Sequence, residues 1–209
     1  MAIVVEHEKR RHEILEKALE VFCEEGYEDV TFQKIADRCG ITRTTLYIYF
    51  KNKREIFLWS IKQLTAGFEV MLIEILDDRK QTAEECLRNI LKKIVSGCEE
   101  NRQLFNVLLA YLMQLQKSGI DPGVRVRRRL VRLRHLLSTV IIRGIQNGEF
   151  RNLNVKTVNE MLYGLIESAI FRISVLDERN IDDIGDTLNL AVDGILSGTG
   201  VQSQSESAV

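Results

Sequence analysis

The most restrictive feature of this sequence is the punctuation supplied by Thr31, Gly40 and Thr42. A threonine side chain satisfies the free amides at a helix start, and glycine adopts a positive φ at little cost. The spacing predicts a short helix over 32–39, a tight turn at Gly40 and a second helix from Arg43 to about Phe50. Helices that short, joined that tightly, must cross steeply. Ile35, Ala36, Cys39, Ile41, Leu46 and Phe50 then fall inside, with Ala36 small enough for a close crossing. Ile41, just before the second cap, can staple onto Leu46. The other faces of the second helix keep Arg43, Thr44, Thr45, Tyr47 and Tyr49. These are donors and amphipathic aromatics, the side chains used on phosphates and base edges. The pattern reads as a helix-turn-helix over 31–50, with the helix that starts near Thr42 entering the major groove of DNA.

The rest of the chain reads as helix. Pro122 is the single proline in 209 residues, which favours long uninterrupted helices. Ile14, Leu15, Ala18, Leu19 and Phe22 recur at helical spacing, so a first helix is expected over about 8–25, stopped by Gly26. Asn52 caps the helix that follows the turn motif, with Glu55 in the capping-box position. Further helices are expected over 53–77, 82–98, 102–117, 122–147, 155–176 and 181–197. Asp121-Pro122 supplies a cap followed by proline at the first helical position, and Asn147-Gly148 a stop. No internal repeat and no strand pattern is evident. The segment 198–209 is rich in Gly, Ser and Gln and is expected to be disordered.

Charge is informative through its distribution. The chain carries a net charge of −1, yet residues 31–54 hold Lys34, Arg38, Arg43, Lys51, Lys53 and Arg54 against Asp37 alone. A basic patch on a near-neutral chain suits a DNA reader attached to a separate body. The longest apolar run, Val107–Met113, is far short of the roughly 20 residues that cross a bilayer. The apolar stretch near the N-terminus is too short for a signal-peptide core. A cytoplasmic protein without a membrane partner is therefore expected. Cys23, Cys39, Cys86 and Cys98 lack metal-finger spacing, and His7, His12 and His135 are scattered. Reduced thiols filling helix faces are expected, with no metal and no cofactor. No glycine-rich phosphate loop and no nucleophile–base set points to an enzyme.

Residues 14–57 resemble the N-terminal domain of the TetR family of transcriptional regulators. The resemblance is carried by Ile14-Leu15, Ala18, Phe22, Gly26-Tyr27, Thr31, Ile35-Ala36, Gly40-Ile41-Thr42, Leu46-Tyr47, Tyr49-Phe50 and Lys53. The run from Leu46 to Lys53 is its most specific part, and the segment 144–150 between two long helices also fits. Cys39, Phe32 and Thr44 depart from the usual residues, Phe32 being bulkier. The resemblance implies an all-α chain: a three-helix helix-turn-helix DNA-binding domain over 1–53 and a helical ligand-binding and dimerisation domain over 54–197. It implies phosphate contacts from Thr31, Thr45, Tyr49 and Lys53, with Gln33, Arg43, Thr44 and Tyr47 near base edges. Thr42 caps the reading helix and aims its amide dipole at the DNA backbone. Arg43 is the residue expected on guanine, because its fork can bond O6 and N7 together; a phosphate contact is the alternative.

One such helix covers only a few base pairs, whereas a dimer sets two about 34 Å apart and reads a palindrome. The resemblance therefore implies a homodimeric repressor of double-stranded DNA, released by a small molecule. The last two helices would form the dimer interface through Met161, Leu165, Ala169, Ile173, Leu188, Val192 and Ile195, unless these face their own core. Trp59, Phe68, Met71, Phe105, Tyr111 and Met113 are candidate ligand-pocket walls, with ordinary core as the alternative. Arg125, Arg127, Arg128, Arg129, Arg132 and Arg134 surround a narrow apolar stripe formed by Val126, Leu130, Leu133 and Leu137. They can be a solvated or ion-paired face, the mouth of a site for an anionic ligand, or an accessory DNA contact. The effector's identity, the operator, and repression against activation stay open, as does a DNA-binding protein whose second domain engages another protein instead of a ligand.

Overall fold

The structure, a computed structural model, describes residues 2–119 and 123–198, with side chains for 5–119 and 131–198. The described residues form nine helices: α1 (Ala2–Asp29), α2 (Phe32–Cys39), α3 (Arg43–Tyr49), α4 (Lys53–Asp77), α5 (Ala83–Glu100), α6 (Arg102–Lys117), α7 (Gly123–Gln146), α8 (Val155–Ser174) and α9 (Asp182–Asp193). The all-α fold class is as expected. The Asp121-Pro122 start, the side chains of Arg125, Val126, Arg127, Arg128, Arg129 and Leu130, and the tail beyond 198 lie outside the described residues.

Local chemistry explains most boundaries. Gly26 has φ 81° and ψ 161°, so the helical path of α1 breaks there. At the other end α1 begins at Ala2, six residues before the start that the apolar pattern suggests. Thr82 and Glu85 close a reciprocal capping box at the start of α5. The last helix is shorter than expected and ends at Asp193. Its former continuation folds back on the α7–α8 turn, where Arg151 N donates to Ile195 O at 2.9 Å and Ser197 N to Glu149 O at 2.8 Å. An isolated antiparallel bridge joins Phe150 and Leu196. The alternation needed to announce a strand is too short to see at two residues.

Two apolar cores organise the chain. The first unites Ile14, Ala18 and Phe22 of α1 with Ile35 and Ala36 of α2, Leu46 of α3 and Phe57 of α4. It continues into α6 through Leu104, Val107 and Tyr111, so it extends well past residue 53. The second core centres on α5, whose Leu87, Ile90 and Leu91 meet Leu137 of α7, Leu162 of α8 and Val192 of α9. Each such fully buried side chain contributes about 1.5–3 kcal/mol. α4 belongs to both cores, through Phe57 at one end and Leu72 at the other. Among the described residues it is the one helix long and apolar enough to cross a membrane by length and composition. Its second half leaves Val70, Met71 and Ile73 exposed.

Candidate nucleic-acid interface

The turn motif is built by its caps. Thr31 Oγ1 accepts from Lys34 N at 3.2 Å, fixing the start of α2. Gly40 takes φ 66°, its N–H reaching Asp37 O at 3.1 Å while Ile41 N reaches Ala36 O at 3.0 Å. These paired bonds close the helix end and need a left-handed residue between them. Thr42 Oγ1 then accepts from Thr45 N at 3.1 Å and stands 2.8 Å from Thr45 Oγ1. Leu46 and Phe50 are buried beneath α3. That burial turns Arg43, Thr44 and Tyr47 outward as exposed side chains.

Each expected contact has a definite setting. Arg43 Nη2 donates to Tyr47 Oη at 3.2 Å, and both side chains are exposed. Thr31, Gln33 and Thr42 are exposed, Gln33 Nε2 donating to Asp37 Oδ1 at 2.7 Å. Thr45 and Tyr49 are half-buried, Tyr49 stacking on His7 with ring centres 4.5 Å apart. Lys53 is the exception. Its Nζ donates to Tyr27 O at 2.7 Å and Glu28 O at 3.0 Å, and it lies 4.7 Å from the centre of the Tyr27 ring. The ammonium thus holds the end of α1 to the start of α4 instead of standing free for a phosphate. Hydrogen bonds from a charged donor in this half-buried setting are worth about 1 kcal/mol. Lys53→Met is therefore expected to lower Tm by about 3 °C and to leave the salt dependence of DNA binding unchanged. Thermal unfolding checks the first; a salt slope lower by about one unit would restore Lys53 to the phosphate set.

Two features of the surface escape a sequence count. Arg38 pairs with Glu20 and Glu24, and Lys34 with Glu25, so acids of α1 offset two of the six cations in the window 31–54. The Arg38 guanidinium, bonding the Glu24 carboxylate, holds that group below its usual pKa. Exposed Lys51 and Arg43 remain on the outer side. Ile48, which the apolar pattern passes over, is 69% exposed on α3. An exposed isoleucine there matches the chemistry of a thymine methyl.

The candidate pocket walls do not come together. Tyr111 is buried in the first core, its hydroxyl accepting from Arg54 Nε at 3.2 Å, and Trp59 packs against the same core beneath Arg11. Phe68 and Phe105 pack against the second core, while Met71 and Met113 are exposed. A surface groove of about 420 Å³ opens beside Glu74, Ile75, Asp78, Asn89, Lys92 and Lys93, and none of the six candidates lines it.

The expected dimer residues also divide. Ala169, Ile173, Leu188, Val192 and Ile195 are buried in this chain's own second core: the first four lie on faces of α8 and α9, which pack on α5, and Ile195 follows α9. Met161 is exposed and Leu165 half-buried. The exposed side of α8 instead presents Met161, Gly164, Ser168 and Phe171, continued by the capping residue Val175, alternating three and four residues apart. Of the described members of the arginine cluster, Arg132 pairs with Glu69 at 2.7 Å and Arg134 pairs with Glu160 while lying over the Tyr163 ring. The four cysteines are free thiols, and burial pushes Cys98 up to about 12.

Comparison with known proteins fits this arrangement. Residues 14–58 match the family model described as bacterial regulatory proteins, tetR family. A fatty acid metabolism regulator protein of Bacillus subtilis (strain 168) is 27% identical over 88% of this chain and 94% of its own length. The crystal structure of the transcriptional regulator FadR from Bacillus subtilis in complex with stearoyl-CoA superposes with a TM-score of 0.66 at 26% identity, covering 90% of this chain and 98% of that one. A TetR transcription regulator from Haloarcula marismortui ATCC 43049 has the same fold, with a TM-score of 0.79 at 23% identity over 91% of this chain and 100% of that one.

Proposed function

We propose that this chain, whose residues 14–58 match the family model described as bacterial regulatory proteins, tetR family, is a DNA-binding transcriptional regulator of that family and a cytoplasmic homodimeric repressor. It is released from a palindromic operator by a long-chain acyl-CoA. The observation that carries the DNA part is the Arg43–Tyr47 pair, exposed on a helix whose start Thr42 fixes. In this reading Arg43 meets guanine and Tyr47 an adjacent base edge. Ile48 meets a thymine methyl, Gln33 and Thr44 flank them, and Thr31, Thr42, Thr45 and Tyr49 touch the backbone. Lys53 is left out because its ammonium is committed to α1.

The dimer face proposed is the exposed stripe Met161, Gly164, Ser168 and Phe171 of α8 with its capping residue Val175, together with Leu190 of α9 at 71% exposure. The three-four spacing is that of helices packed along a shared seam, and Gly164 and Ser168 allow close approach. Light scattering is expected to give twice the 24.0 kDa of one chain.

The ligand class rests on the fatty acid metabolism relative and on the stearoyl-CoA complex of its counterpart structure. The half-exposed apolar side of α4, with Val70, Met71 and Ile73, suits an acyl tail. Arg132, beside it on α7, suits the anionic coenzyme moiety. The protein acts by binding, without chemistry on the ligand, and binding shifts it only if the ligand prefers the form that does not fit DNA. Fluorescence anisotropy with a duplex from the chain's own upstream region tests this. Stearoyl-CoA is expected to release the DNA while coenzyme A alone does not, and an operator affinity unchanged by stearoyl-CoA would sink the ligand assignment.

A further inference from the structure

Phe32 opens α2 directly after its cap and is only 9% exposed, anchored in the first core. Its ring stacks on that of Tyr47, the centres 4.5 Å apart and the planes 28° from parallel. Tyr47, half exposed, accepts the hydrogen bond from Arg43 Nη2, and Arg43 Cζ stands 5.7 Å from the centre of the same ring. The three side chains are therefore in series: a fixed ring, a ring lying on it, and a guanidinium tied to the second ring's hydroxyl.

We propose that Phe32 is a positioning residue for base readout, holding Tyr47 and through it the Arg43 fork in place before DNA arrives. This rests on the DNA-reading role above and adds a residue that does not itself reach the DNA. The physical case is one of order. Without the Phe32 ring, Tyr47 is free to rotate about its two side-chain bonds, and its hydroxyl no longer offers Arg43 a fixed acceptor. Freedom already removed in the unbound protein is not lost again on binding. Guanine recognition needs two N–H groups in the plane of the base edge, whereas a phosphate accepts an arginine from many directions. Loosening the stack therefore costs discrimination between bases more than it costs contact with the backbone. The bulk of Phe32 matters for the same reason, since a smaller residue at this position has no ring to offer Tyr47.

The test uses the full chain and a duplex library with a randomised core. Wild type selects a sequence, and affinities for the selected duplex and for the same duplex with its preferred guanines changed to adenine are measured across salt concentrations. Phe32→Leu is expected to reduce discrimination at those guanines about fivefold with an unchanged salt slope. Phe32→Tyr, which keeps the ring, retains the wild-type preference. Tyr47→Phe keeps the stack but removes the hydroxyl, and its surface position leaves the fold intact even where Phe32→Leu does not fold. It is expected to lose discrimination at the same guanines. Equal loss on both duplexes, or full discrimination in Phe32→Leu or in Tyr47→Phe, overturns the proposal. A wild type that enriches no sequence would overturn the DNA-reading role itself, and Arg43→Ala with the wild-type preference would overturn the Arg43 assignment; neither result resembles the ones above.

Discussion

Arg43→Ala is expected to weaken binding to the operator about a hundredfold while leaving Tm unchanged. A bidentate arginine–guanine pair carries about 1–3 kcal/mol of discrimination, and a dimer has two such pairs. A hundredfold loss corresponds to about 2.8 kcal/mol, in the lower part of the combined range. Stability is spared because Arg43 is exposed and its one side-chain partner is the equally exposed Tyr47; surface changes of this kind stay within about 0.5 kcal/mol. The measurement is anisotropy on operator and scrambled duplexes at fixed salt. Loss confined to the operator supports base contact. Equal loss on both, with a salt slope lower by about 0.9 for each phosphate released, would place Arg43 on the backbone.

Gly144→Ala should be the most damaging small substitution outside the DNA-facing surface. A methyl group at Gly144 would stand 2.2 Å from Phe150 Cδ2 and 2.7 Å from its Cγ. The base of the ring is struck as well as its edge, so rotation of the side chain brings no relief. The backbone around it is also held, with Glu149 N and Phe150 N both donating to Gly144 O and Phe150 bridged to Leu196. Removing a helical glycine returns about 1 kcal/mol of propensity, while displacing a buried phenylalanine costs about 3–5 kcal/mol. A net loss of about 2–4 kcal/mol follows, lowering Tm by about 5–12 °C. Gly97→Ala is the control. There the closest atom is Phe68 Cε2 at 2.6 Å, on the far edge of a half-buried ring that can swing away. The propensity gain then offsets the clash, and Tm should move by no more than about 2 °C. Similar Tm values for the two variants would show that Phe150 is not seated as firmly as its contacts indicate.

What the sequence made legible follows from how local the physics is. Caps, glycine stops and the three-four apolar spacing act within a few residues, so α2, α3, α4 and α6 fall where the pattern places them. The charge of the DNA-facing surface was not legible in the window 31–54, because Glu20, Glu24 and Glu25 reach Lys34 and Arg38 from another helix. The hold of Lys53 on α1 was hidden for the same reason, since its carbonyl partners are 25 and 26 residues away. Periodicity identifies an apolar face but not its partner. It therefore joined Ala169, Ile173, Leu188, Val192 and Ile195, which serve the chain's own core, to Met161, which does not. The Phe32–Tyr47 stack had a sequence signal in the bulk of Phe32, but its partner lies fifteen residues along and across a turn.

The participation of α6 in the first core has a practical consequence. Tyr111 packs on Tyr27 and Phe57 with ring centres 4.6 and 4.9 Å away, and Leu104 and Val107 close the same apolar volume. A fragment cut at residue 53 would lose Ile56, Phe57 and that whole wall together, leaving Phe22 and Tyr27 facing water. The reading head is thus not a detachable module. Its melting should coincide with that of the body in a single calorimetric transition, and peptides copying its three helices would make poor decoys for the intact protein.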